Sequence, residues 1–232
     1  MVNTEVFGYI DSTIALVDIQ DKIDKWAAMG VKGIFMDKFG YDWAVSRDQQ
    51  NAIVWCIHEK GAGLKAYVNA WDPDHVFGSI VDATYNPTGK APRIQAGDLY
   101  LLESYQIVAG AYQSQADWRG RSDKVAGYKA GSFSGVEIVG LTTNADVAFD
   151  QAKMDYAYLS AVLDGLEYFG WGEFNFSASG SSADQLPFRT RAPFYGTKHY
   201  GPITVNGTIV ERPTNVGIHV DTVAHTAGLI LD

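Results

Sequence analysis

Two rhythms alternate along this chain. Short apolar runs end in a polar residue, and the stretches after them repeat apolar residues every three to four positions. Residues 6–11 predict a first strand ending in the carboxylate of Asp11. Asp18 predicts the cap of a helix reaching Met29, with Ile19, Ile23, Trp26 and Ala27 on one face and Gly30 past its end. Residues 33–37 predict a second strand, covered on both faces, that ends in Asp37 and runs into a loop carrying Lys38, Tyr41, Asp42 and Trp43. Ser46 and Gln49 stand at capping-box spacing and open a helix to about Lys60, which Gly61 and Gly63 stop. Residues 64–69 predict the third strand, ending in Asn69. Strand, polar end, capped helix and glycine stop thus occur twice in succession, the pattern of parallel strands joined by right-handed crossovers.

The middle of the chain is less regular. Residues 71–74 predict a turn, residues 80–84 another short strand, and residues 86–92 a loop. Residues 98–103 form a clear strand ending in Glu103, with Ser104, Tyr105 and Gln106 after it. A polar helix over 113–130 leads to a strand at 136–141. Asp146 is the expected cap of a helix to about Leu163, stopped by Gly165, and a strand follows at 166–173. From Ser177 the text changes, with a small-residue patch at 179–182. After Pro193 come short β-branched runs, and Asn206-Gly207 between two of them signals a hairpin. The expected organisation is one βα domain over residues 1–192 and a β-rich appendage over 193–232 that adds strands or makes homo-oligomer contacts. Asn206-Gly207-Thr208 also reads as a glycosylation sequon, which a tight turn explains better.

Composition narrows the partners. A net charge of -9 argues against nucleic acid and anionic membrane surfaces. Abundant Tyr, Trp and Phe beside few Lys and Arg suit a surface that stacks on sugars and suit a dense core equally. The single cysteine, Cys56, excludes an internal disulfide framework and sits in an apolar run as a buried thiol. No stretch is long and apolar enough to span a membrane, and the first residues do not read as a signal peptide. Neither observation fixes a compartment, and an extracellular or virion-surface setting fits both. The five histidines show no ligand spacing, so no metal is expected. No phosphate loop, nucleophile elbow or dinucleotide fingerprint is present, and no cofactor is expected.

The strand ends Phe35-Met36-Asp37, Val68-Asn69 and Leu102-Glu103-Ser104, in that order and separated by capped helices, carry a resemblance. Residues 6–177 resemble the TIM-barrel glycoside hydrolases of the endo-α-1,4-polygalactosaminidase type and their uncharacterised bacterial relatives. The resemblance implies a (β/α)8 TIM-barrel-like fold with Asp37 and Glu103 as catalytic carboxylates at its mouth and Asn69 on the strand between. Two departures stand out. The position three after Asp37, often acidic in the family, is Gly40, and Lys38 directly follows Asp37 as an expected ion-pair partner that lowers its pKa. The strand count is also short of eight: the alignment lacks the two leading strands, and a typical barrel takes about 250 residues. Either the barrel is incomplete, or the C-terminal strands or a neighbouring subunit close it.

Glycoside hydrolysis needs one protonated and one ionised carboxyl group. Glu103, among Tyr100, Leu101, Leu102 and Tyr105, suits the general acid/base, and Asp37 suits the nucleophile or base. The competing roles are a turn cap for Asp37 and a salt-bridge partner of Lys38 or Arg119 for Glu103. Tyr9, Asp11, Lys38, Asn69, Trp71, Tyr105, Trp171 and Glu173 are the expected substrate-binding residues. Trp171 serves equally as a core tryptophan, and Asp11, Asn69 and Trp71 serve equally as turn residues. The function expected is a glycosidase acting on an oligo- or polysaccharide; the alternative is a non-catalytic glycan-binding, adhesion or virion-surface protein on a degenerate hydrolase barrel.

Overall fold

The computed structural model describes residues 4–61, 63–145, 148–174, 189–191, 199 and 201–230. The expected cap Asp146, the patch at 179–182 and Pro193 lie outside the described residues. The elements are β1 (Phe7–Asp11), α1 (Leu16–Ala28), β2 (Gly33–Asp37), a 3-10 turn (Tyr41–Trp43), α2 (Arg47–Glu59), β3 (Lys65–Asn69), α3 (Asp74–Phe77) and β4 (Leu99–Glu103). After them come β5 (Ile107–Val108), β6 (Ala111–Tyr112), α4 (Gln115–Lys129), β7 (Glu137–Leu141), α5 (Gln151–Asp164) and β8 (Tyr168–Gly170). The chain closes with β9 (Thr204–Asn206), β10 (Ile209–Arg212), β11 (Ile218–Asp221) and β12 (Thr226–Leu229). The fold is mixed α/β. A six-stranded sheet has the order β1-β2-β3-β4-β7-β8, a separate antiparallel sheet the order β12-β11-β10-β9, and β5 and β6 form a hairpin. The pairs β1–β2, β2–β3, β3–β4 and β7–β8 are parallel. Among the described residues no helix is long and apolar enough to cross a membrane.

Several local expectations change. Asp18 does not cap α1. Ala15 holds the cap position without a side-chain bond, and Asp18 sits in the first turn, where its charge faces the positive end of the helix dipole. Ser46 Oγ accepts the Gln49 amide of α2 at 3.3 Å, but the Gln49 side chain donates to the Ser12 carbonyl at 2.8 Å, so only half of the reciprocal box forms. Residues 80–84 form no strand. Ile80 and Val81 are exposed, and Asp82 folds the chain back by accepting the Thr84 and Tyr85 amides. α5 begins at Gln151 and is capped by Asp150, whose carboxylate accepts the Lys153 amide at 3.1 Å. The expected strand at 166–173 contracts to β8. The hairpin turn lies one residue later than Asn206-Gly207: Asn206 pairs with Ile209, leaving Gly207 and Thr208 as the two turn residues. Gly207, at φ 61, takes the first turn position, where a positive φ is needed.

The chain divides into two compact units, Met1–Leu102 with Asp123–Ile138, and Glu103–Ser122 with Val139–Asp232. In the first unit β1, β2 and β3 have two unlike faces. One carries Ile10, Ile34, Met36, Ala66 and Val68, all buried, and α1 and α2 cover it with Ile19, Ile23, Ile53 and Ile57. Each Ile, Val or Met side chain so removed from water contributes roughly 1.5–3 kcal/mol. Alternation then places Tyr9 and Asp11, Phe35 and Asp37, and Tyr67 and Asn69 on the opposite face. Its rings make a ladder, with centroids 5.9 Å apart for Tyr9–Phe35, 4.8 Å for Phe35–Tyr67 and 5.5 Å for Phe7–Tyr67. At the start of β4, the buried Asp98 carboxylate accepts from the Ala66 and Gln95 amides and meets His58 Nε2, each at 2.9 Å.

Trp26 of α1 covers β1 at Gly8 and donates its indole N–H to the Tyr9 carbonyl at 3.3 Å. A Cβ at Gly8 would lie 2.3 Å from the indole ring. Gly8→Ala is therefore expected to lose about 1–3 kcal/mol through overpacking. Urea unfolding measures the loss, and an unchanged midpoint would contradict this packing.

In the second unit α5 packs against β11 and β12. His225, in the turn between those strands, stacks on Tyr112 with centroids 3.9 Å apart, and Thr222 Oγ1 donates to Gln115 Oε1 at 2.7 Å. The centre of this unit is the Asp164 carboxylate at the end of α5. It accepts from Arg119, from the Tyr105 hydroxyl at 2.8 Å and from Trp118 Nε1 at 2.9 Å.

Candidate functional site

The polar groups of the first unit converge where β1, β2 and β3 end. Asp11 and Asp37 are register partners on adjacent parallel strands, so their side chains leave the same face side by side. The Asp37 carboxylate accepts three hydrogen bonds. Tyr9 Oη donates to Oδ2 at 2.8 Å, and Asn69 Nδ2 and the Lys38 amide donate to Oδ1 at 3.0 and 2.9 Å. Lys38 makes that amide contact at φ 55, a left-handed conformation costly for any residue but glycine. The expected ion pair between Lys38 and Asp37 is replaced by another. Lys38 Nζ donates to Asp11 Oδ2 at 2.7 Å, because the left-handed turn sends its side chain back over β1. Thr13 completes the Asp11 shell, giving its amide at 2.9 Å and its hydroxyl at 2.6 Å to Oδ1. Asp11 thereby also fills the turn role that its position predicted.

These contacts set the ionisation. Partial burial raises the Asp11 carboxyl, but the bonds from Lys38 and Thr13 outweigh it and hold Asp11 below its ordinary range. The bond to Asp11 raises the Lys38 ammonium against a smaller desolvation effect. Burial, then the bond to Asp37, pushes the Tyr9 phenol up to about 12. A depressed carboxyl contributes stability above its unfolded value, lost as pH falls through the folded value. A raised ammonium contributes stability below its unfolded value, lost as pH rises through the folded one. The Asp11–Lys38 pair should therefore stabilise the first unit between about pH 4 and pH 10. Lys38→Met is expected to flatten both flanks of a plot of urea midpoint against pH. Flanks as steep as the parent's would contradict the pairing.

Exposed aromatic rings follow these strand ends. Trp43, in the turn after β2, is 51% exposed, and the Lys38 ammonium lies 5.1 Å from its ring centroid. Trp71, just beyond β3, is 49% exposed. Thr13 and Trp43 join the site without having been singled out in the sequence. The Asp-x-Thr spacing of an Asx turn was the available signal for Thr13, and Trp43 had only its place after β2.

No family model and no curated protein matches this chain. The site is therefore interpreted from its own chemistry. Among the described residues no group of three or more His, Cys, Asp or Glu side chains is arranged to hold a metal ion.

The other candidates lie in the second unit. Glu103 ends β4, and its carbonyl accepts from Arg121 at 2.8 Å. Ser104 follows at φ 54, so Asp37 and Glu103 are each the last residue of a strand and each precede a left-handed residue. Lys38, one of the two partners expected for Glu103, donates to Asp11, and Arg119, the other, has Asp164 among its partners. Tyr105 is buried with its hydroxyl given to Asp164, and burial raises its pKa strongly. Trp171 meets Phe149 edge to face at 5.8 Å, and Glu173 holds Arg189 through Nε at 2.5 Å and a terminal nitrogen at 3.2 Å. The structure thus gathers Tyr9, Asp11, Asp37, Lys38 and Asn69 into one hydrogen-bonded group, and it places Tyr105 in the core of the second unit.

Proposed function

We propose that this protein acts on an oligo- or polysaccharide through Asp37, as a glycosidase on a TIM-barrel-like sheet. The observation that carries the reading is the Asp37 carboxylate at the end of a buried parallel strand, held by Tyr9, Asn69 and the Lys38 amide. Hydrogen bonds from three donors fix the orientation of this carboxylate, as a nucleophile or base must be fixed. Exposed Trp43 and Trp71 follow β2 and β3 and offer flat apolar faces of the kind that stack on sugar rings. Ligands of parallel α/β sheets bind beyond the carboxyl ends of the strands, where these residues lie. Hydrolysis needs a second carboxyl group. The family resemblance gives that role to Glu103, the last residue of β4.

A second reading, glycan capture without cleavage, is favoured by the same shell. Asp37 already accepts three hydrogen bonds, which draw on the electron density an attacking carboxylate would use. Incubating the protein with a panel of polysaccharides separates the two, with new reducing ends and bound glycan both measured. Release of reducing ends from at least one polymer is the expected result. Binding with no release selects the capture reading, and a panel showing neither contradicts both.

A further inference from the structure

Two carboxylates that leave adjacent parallel strands in register stand roughly 5 Å apart at the backbone, so one side chain and its own amide can reach both. Lys38 supplies a cation to this pair. Lys38 Nζ is 2.7 Å from Asp11 Oδ2 and also lies within the field of Asp37. Its backbone is held at φ 55, where glycine would sit without strain, so the position keeps a lysine at a conformational cost. Thr13 and Asn69 add neutral donors, and Tyr9, protonated at neutral pH, faces both carboxylates from β1.

We propose that Lys38 is a positioning residue whose ammonium holds the Asp11 carboxylate in place beside Asp37 while its own amide orients the Asp37 carboxylate. One residue thereby serves both members of the pair, through the side chain at one strand end and the backbone at the next. Asp11 in turn fixes the ammonium under Trp43, 5.1 Å from the ring centroid, and so ties the aromatic turn to the carboxylates. Among the described residues, the charged and titratable groups of this cluster are Tyr9, Asp11, Asp37 and Lys38. The consequence for turnover rests on the proposed function, whereas the ionisation of Asp11 does not.

Carboxyl-carbon NMR of the whole chain tests the ionisation directly. The Asp11 midpoint is expected to move upward in Lys38→Met and in Lys38→Gly, and to return toward the parent value in Lys38→Arg. Lys38→Gly relieves the left-handed strain, so a merely structural lysine predicts a more stable chain with the Asp11 midpoint unmoved. In the parent, the Lys38 Nζ resonance should shift with the same midpoint as Asp11, a measurement that does not depend on any variant folding. An Asp11 midpoint unchanged in the variants, or a Lys38 resonance indifferent to Asp11 protonation, overturns the proposal. If both hold and no polysaccharide is bound or cleaved, the charge arrangement stands and the carbohydrate reading falls.

Discussion

Asp164→Ala should cost the chain about 3–5 kcal/mol of stability, the usual effect of taking one partner from a buried ion pair. Asp164 is the last residue of α5, where a carboxylate faces the negative end of the helix dipole. Its partners offset that placement. Arg119 donates to Oδ1, and the Tyr105 hydroxyl and Trp118 Nε1 share Oδ2. The side chains of Arg119 and Asp164 are only 10% and 4% exposed, so water cannot replace the lost acceptor. Asp164→Asn keeps an oxygen for one donor and should cost less, and Tyr105→Phe, which removes one hydrogen bond, should cost about 1 kcal/mol. Urea unfolding followed by tryptophan fluorescence measures all three. A loss under about 1 kcal/mol for Asp164→Ala would show that the network is not holding the second unit together.

The sequence predicted the early βα repeats because their signals are local. An apolar run, a polar strand end and a glycine at positive φ, such as Gly30 at φ 78, lie within a few residues of one another. Residues 80–84 misled for the same reason. A β-branched pair reads as strand, yet Ile80 and Val81 are exposed and Asp82 captures the amides beyond them. The Asp164 network was not legible. Its partners stand 45 to 59 positions away, and only the tertiary fold brings them together.

Much of the site was legible at the level of position and little at the level of pairing. Asp11, Asp37 and Asn69 stood out because each ends a strand, and the register of β1 on β2 sets the first two side by side. Lys38 was expected to neutralise its neighbour Asp37. The backbone at φ 55 turns the ammonium to Asp11 instead, and nothing in a lysine signals a left-handed residue. Tyr105 follows the polar end of β4 and looked available for the same positional reason, but its hydroxyl is held in the core by Asp164.

The other large effect concerns the turnover that the proposed glycosidase function requires. Asp37→Asn keeps the shape of the side chain and an oxygen to accept from Asn69 and the Lys38 amide, so the fold should persist with little change in stability. The amide has neither the negative charge of a nucleophile nor the basicity to activate water. Loss of hydrolysis by about 10³-fold or more is expected, with glycan affinity largely retained. Trp43→Ala should do the reverse, weakening glycan binding more than the chemical step. The most direct measurement of the proposed function is the initial rate of reducing-end release by the parent and Asp37→Asn across a polysaccharide panel, beside the affinity of each for those polymers. A rate that collapses while affinity persists is the expected result, and hydrolysis that survives the substitution would remove Asp37 from the reaction.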